Sequence, residues 1–194
     1  MEKLNMSKLR FCASLVLLIG AVAALCALPA RAAEDANAAP ASEDQLIRVL
    51  ESAADPAEKA MTCKRLVVYG TDQAVPALAA LLPDKELSSW ARLPLEAIPG
   101  PAADAALREA LGKLEGRLLI GVINSIGVRR DGQAVDSLAP RLTDADPEVA
   151  TAAAVALGRI GNAAATTVLE QALTSAPAAV RGAVAEGCVY CAEQ

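Results

Sequence analysis

Apolar residues recur along the chain at helical spacing, in a block that is copied several times. The clearest copy is Asp144 to Leu173, DADPEVATAAAVALGRIGNAAATTVLEQAL. Val149, Ala153, Leu157 and Ile160 fall four, four and three residues apart, which places them on one face of a helix. Asp146 is a cap residue, and Pro147 fits a first turn, where its missing N–H would have no partner anyway. Gly161-Asn162 tolerates left-handed backbone and stops the helix. Ala165, Leu169 and Leu173 then form the stripe of a second helix. Neither helix can bury its own stripe, so each predicts a partner and neighbouring copies.

The same slots recur upstream. One second-helix slot reads Ala74, Ala103, Ala134, Ala165; the next reads Leu78, Leu107, Leu138, Leu169; the third reads Leu82, Leu111, Leu142, Leu173. A first-helix slot reads Leu66, Leu95, Ile126, Leu157, with the same steps of 29, 31 and 31 residues. A period near 30 residues built from helix-turn-helix units predicts an all-α solenoid.

The elements follow in order. Ser42 to Gln45 matches a capping box and opens a helix over 43–54, read as an N-terminal cap. Asp55-Pro56 starts a helix that runs to Tyr69, with Gln73–Leu82 as its partner. Lys85–Ile98 pairs with Ala102–Leu114, and Pro94 predicts a kink or an early break. Arg117–Val128 pairs with Gln133–Leu142, which Pro140 shortens. Pro177–Ala192 is the first helix of a fifth pair. The repeats therefore span about 55–84, 85–115, 116–145 and 146–176, with a partial one at 177–194, inside a repeat domain of 42–194.

DADPEVATAAAVALGRIGN, followed by an Ala- and Leu-rich helix, resembles a HEAT repeat of the short, phycobilisome-lyase-like type. TDQAVPALAALLP and Arg117–Leu142 resemble it too, Lys85–Gly100 least, and the similarity runs from about Asp55 to the C-terminus. The whole is similar to secreted bacterial HEAT-repeat proteins. The resemblance implies a right-handed solenoid of HEAT-like helical pairs that serves as a binding scaffold. It brings no catalytic residues.

Composition refines this picture. The chain is 54% hydrophobic but 2% aromatic, which suits closely packed helices. Residues 1–32 read as a signal peptide: Lys3, Lys8 and Arg10 precede an apolar run from Phe11 to Leu28, and Ala30-Arg31-Ala32 offers a cleavage site. An uncleaved membrane anchor is the alternative, and would be the chain's one link to a membrane. Residues 33–41, AEDANAAPA, read as a disordered linker. Loss of 1–32 removes four basic residues and Glu2 from the 18 and 23 of the full chain, leaving 14 basic and 22 acidic, a net charge near −8. Such a surface repels phosphate backbones, so nucleic acid is not expected as a partner. The expected location is the periplasm or the medium.

Histidine is absent, which excludes Ser-His and Cys-His nucleophile systems, zinc sites built on His, and His-ligated haem. Deoxyhypusine hydroxylase has HEAT-like repeats and binds iron through His-Glu pairs, so its chemistry is excluded on the same ground. No cofactor or metal is expected. Cys188 and Cys191 fall 31 residues after Leu157 and Ile160, in apolar slots where Cys acts as a small hydrophobe. A strained local disulfide, or a redox or metal half-site, is the alternative. Cys63 lies about four units away and, at about 8–10 Å per helix layer, reaches neither. Asp144 and Asp146 are read as caps and not calcium ligands. Gly158–Gly161 is a helix terminus and not a phosphate loop, and Arg129–Gly132 an exposed, solvated turn.

With the second helices taken as the inner, binding layer, Arg108, Glu109, Asp136, Glu170 and Gln171 are the candidate contacts for a protein partner. Val180 and Val184 are candidates for a sticky C-terminal face that self-associates or binds a partner. The expected function is a non-catalytic protein-binding scaffold of the bacterial cell envelope. The alternative is an accessory, lyase-like factor that holds a cofactor or tetrapyrrole.

Overall fold

The computed structural model describes residues 42–193. The signal peptide and linker expected at 1–41 lie outside them. The helices are α1 (Glu43–Glu51), α2 (Pro56–Tyr69), α3 (Val75–Ala79), α4 (Ser88–Ala97), α5 (Pro101–Leu111), α6 (Gly116–Arg129), α7 (Val135–Leu138), α8 (Pro147–Ile160), α9 (Ala163–Ser175) and α10 (Arg181–Ala192). Short 3-10 helices precede α3 and flank α7. No strand occurs among the described residues, and the fold is an α-solenoid of helical repeats.

Local chemistry sets the helix starts. Ser42 and Gln45 close the capping box in both directions: the Gln45 N–H donates to Ser42 Oγ, and the Ser42 N–H to Gln45 Oε1. Asp55 accepts the Glu58 N–H at 2.9 Å and Asp146 the Glu148 N–H at 2.9 Å, each with Pro next in sequence. Asn162, expected only to help end α8, also caps α9 through the Ala165 N–H at 2.8 Å. The Asp144 carboxylate accepts the Asp146 N–H at 3.0 Å, which holds its pKa below the usual value, with Arg141 adding to the effect.

Prolines act where they stand. Pro140 confines α7 to four residues and passes the chain into a 3-10 helix over Ala139–Thr143. The partner expected over Gln73–Leu82 is likewise a 3-10 turn followed by the five-residue α3. Pro94 behaves otherwise: α4 continues through it to Ala97, and its carbonyl accepts the Ile98 N–H at 2.8 Å. That helix starts at Ser88 and not at Lys85, because Asp84 first binds the N–H groups of Glu86 and Leu87 in a turn.

The first helices α2, α4, α6, α8 and α10 stack in sequence, and the second helices pack beside them. Leu66, Leu95, Ile126 and Leu157 are wholly buried, as are the Ala74 and Leu78 slots in all four copies. Leu82, Leu111 and Leu142 are buried too, but Leu173 is 41% exposed. No further second helix packs on α9 among the described residues, so that slot opens to solvent and Ala172 takes the inward place. Backbones meet closely at α6/α8 and α8/α10. A Cβ added at Gly127 would lie 2.9 Å from Ala156 Cα, and one at Gly158 would lie 2.8 Å from Gly187 Cα.

Candidate functional site

The α4/α6 joint is held by polar side chains where the later joints use small residues. Arg92 Nη1 donates to the Gly121 carbonyl at 3.1 Å and to Ser125 Oγ at 3.2 Å. Ser125 Oγ donates to Glu96 Oε1 at 2.6 Å. Arg129, expected in an exposed turn, is largely buried. It pairs with Asp104, and its Nη1 reaches the carbonyls of Leu95 and Ile98 at 2.8 and 2.6 Å. It thereby satisfies the open C-terminal end of α4, whose last carbonyls lack helical partners. Asp131, from the same turn, is buried, pairs with Arg108 and accepts the Gln133 N–H at 3.0 Å. Within Arg129–Gly132, Arg129 and Asp131 thus join repeats, while Arg130 and Gly132 are exposed and fit the solvated-turn expectation.

The expected contact residues divide accordingly. Arg108 is tied to Asp131 and serves the fold. Glu109 is exposed and bonded to Lys113 at 2.6 Å, which holds its carboxyl below the usual pKa; it edges a shallow groove between α3 and α5. Asp136, Glu170 and Gln171 are exposed. Val180 and Val184 are not: both are buried, because they lie on the side of α10 that packs against α8 and α9. They cannot form a surface on the folded chain, which corrects the sticky-face expectation.

Cys188 and Cys191 are half-buried free thiols. Burial pushes the Cys188 thiol pKa up, aided by the nearby Cys191 and Glu170. Cys191 Sγ donates weakly to the Gly158 carbonyl at 3.9 Å. Their slots are less enclosed than those of Leu157 and Ile160, since no second helix follows α10 among the described residues. Cys63 is fully buried, with its pKa pushed up to about 11 by burial. Among the described residues no three of His, Cys, Asp and Glu cluster as metal ligands. None of their helices is long and apolar enough to cross a membrane.

The surface feature that slot-counting missed is apolar. Among the described residues, the large exposed hydrophobic side chains lie on first helices, Leu173 excepted. Met61 and Val68 on α2 are 53% and 73% exposed, and Trp90 and Leu93 on α4 are 38% and 45%. The 29-residue step that links Leu66 to Leu95 also links Met61 to Trp90, so the two sit at equivalent places on stacked helices. The 31-residue step carries Leu93 onto Asn124 and Val155, which line a cleft of about 400 Å³ between α6 and α8 with Ile120 and Pro147. One row therefore shows apolar side chains on α2 and α4 and a mainly apolar cleft on α6 and α8. The signal was in the sequence: Met61, Trp90 and Leu93 fall off the core stripe.

Comparison with known proteins fits the repeat geometry. Residues 117–187 match the family of HEAT repeats. No curated protein matches the chain. Among solved structures, human deoxyhypusine hydroxylase in complex with glycerol is similar, at 17% identity and a TM-score of 0.49, over 78% of this chain and 74% of that one. An engineered protein is similar at 21% identity and a TM-score of 0.44, over 77% of this chain and 79% of that one. Likenesses this distant carry nothing about activity.

Proposed function

We propose that the protein is a binding scaffold of the bacterial cell envelope, and that it holds a protein partner on its first-helix face. The observation that carries this reading is the exposure of Met61, Val68, Trp90 and Leu93 along one side of α2 and α4. Large apolar side chains grouped on a surface lose free energy when covered, and Trp and Met are enriched in interface cores. Exposed acidic residues such as Asp136 and Glu170 lie on the second helices and act as solvated surface in this reading. The envelope assignment rests on the basic start, apolar run and Ala30-Arg31-Ala32 of the N-terminal segment, and implies a mature chain that begins at Ala33.

The test places a photo-cross-linker at Leu93 or at Glu170 in the exported protein. A partner captured from Leu93 and not from Glu170, and lost on Met61→Glu, supports the reading. Equal capture from both sites, or capture untouched by Met61→Glu, overturns the first-helix face. N-terminal sequencing of the same sample that finds Met1 overturns cleavage. Trp90 is the chain's single tryptophan, so its emission should shift to the blue when the face is covered.

A further inference from the structure

Between the starts of α4 and α6 lies a cavity of about 580 Å³, lined by Lys85, Ser88, Ser89, Arg92, Glu115 and Arg117 with Leu118. Its charge runs against that of the chain. The protein carries a net −5, yet three cations line this one space against a single carboxylate. Lys85 and Arg117 have no ion-pair or hydrogen-bond partner among the described residues. Arg92 is held in place by its bonds to the Gly121 carbonyl and Ser125 and is paired with Glu96 at 3.8 Å, outside the cavity lining, so the uncompensated charge is that of Lys85 and Arg117; the Arg92 Nε is buried without a partner.

Ser88 adds an independent sign. It is 4% exposed, lines the cavity, and its hydroxyl has no hydrogen-bond partner. A buried hydroxyl left unpaired is costly, and native structures rarely retain one without a reason. The 14-residue α6 also opens into this region with no side chain capping its first turn, because the Glu115 side chain makes no cap bond. Uncapped N–H groups and the positive end of a long helix favour an anion.

The geometry points to a binding site for the phosphoryl group of a small molecule. Arg92 and Arg117 supply planar donors, Lys85 a point charge, Ser88 and Ser89 hydroxyls, and α6 its free amides. Donors on several sides suit a tetrahedral dianion better than a planar carboxylate. The volume exceeds that of phosphate and lies within the range of small-ligand sites, so the ligand carries an organic body behind its phosphoryl group. The site stands on other residues than the apolar face and does not depend on it.

The experiment titrates the full chain with inorganic phosphate, methyl phosphate and acetate at low salt, by calorimetry and by phosphorus NMR. The phosphates are expected to compete for one saturable site and acetate to bind more weakly. Lys85→Ala with Arg117→Ala, both exposed positions, should weaken phosphate by about tenfold or more. Ser88→Ala should weaken it severalfold while leaving the chain folded, since the lost hydroxyl bonds nothing. Lys113→Ala, an exposed cation elsewhere, should change nothing. Phosphate affinity unaltered in the double variant, affinity equally reduced by Lys113→Ala, or acetate bound as tightly as phosphate would each overturn the proposal.

Discussion

Substitution of Gly158 by Ala tests the packing of the first-helix layer. In an isolated helix this change gains about 1 kcal/mol, because Gly is the poorer helix former. Here the new Cβ would lie 2.8 Å from the Cα and 3.0 Å from the carbonyl oxygen of Gly187. Carbon atoms rest at about 3.5–4.0 Å, and the opposing atoms are backbone, so α10 must retreat by roughly 0.7 Å or more. Overpacking of this kind costs about 1–3 kcal/mol. A retreat also loosens Val180 and Val184, which α8 and α9 bury. Set against the propensity gain, the expected net destabilisation is up to about 2 kcal/mol, or up to roughly 8 °C in midpoint for a domain of this size. Gly182→Ala is the internal control, on α10, the helix that must retreat, with nothing within 4 Å of its added Cβ. It should be neutral or stabilising by up to about 1 kcal/mol. Repeat arrays share stability between neighbours, so urea unfolding should be read together with hydrogen exchange of the α10 amides. Gly158→Ala should speed that exchange and Gly182→Ala should not. A Gly158→Ala chain as stable as the parent, with α10 equally protected, would refute a backbone contact between α8 and α10.

Three further outcomes follow from the same coordinates. Leu157→Ala, at a wholly buried slot, should cost about 2–5 kcal/mol in urea unfolding, while Leu173→Ala should cost well under half of that because its side chain is already 41% exposed. Arg130 ends α6 with a left-handed φ of 52°, where α8 uses Gly161 at 63°; Arg130→Gly should therefore raise stability by roughly 0.5–1 kcal/mol, and a fall would show that the arginine side chain holds something. Cys63 keeps its proton to about pH 11 in the fold against 9.0 unperturbed, so the folded chain binds the extra proton between those values and stability should fall as pH rises through them; native alkylation near pH 8, read by mass spectrometry, should modify Cys188 and Cys191 well before Cys63.

The register of the solenoid was legible because it depends on spacing alone. A residue that must face the core in one copy faces it in the next, and Leu66, Leu95, Ile126 and Leu157 follow that rule without exception. Leu173 departs from it because burial in a solenoid also depends on a neighbour, and spacing within one copy does not say whether a neighbour packs there. The caps were legible for a similar reason: Ser42, Asp55 and Asp146 act within three residues of themselves. The bonds between copies were not. Arg129 reaches carbonyls 31 and 34 residues back, and Glu43 accepts from the N–H and hydroxyl of Thr71, 28 residues on. Nothing in RRDG separates an arginine that caps a neighbouring helix from one that dangles in water. The first-helix surface and the polar lining of the cationic cavity escaped slot-counting because their residues lie outside the slots followed from copy to copy.

The two faces of α10 place its expected stickiness differently from the sequence. Its inner face, with Val180, Val184 and Gly187, is occupied by α8 and α9. The outward slot can be read by the repeat step. Gly127 faces Ala156 and Gly158 faces Gly187, and 31 residues beyond Gly158 stands Val189, exposed on α10. The glycine that lets α6 and α8 each receive the next first helix at backbone contact is thus replaced by a branched residue, as the same slot is filled by Val67 on α2 and Glu96 on α4. A helix docking on this face in the geometry of α6/α8 or α8/α10 would meet the Val189 side chain where those joints have only hydrogen. A helix that covers Val189 and Tyr190 would be held by side chains, as at the α2/α4 and α4/α6 joints, in place of the backbone approach of α6/α8 and α8/α10.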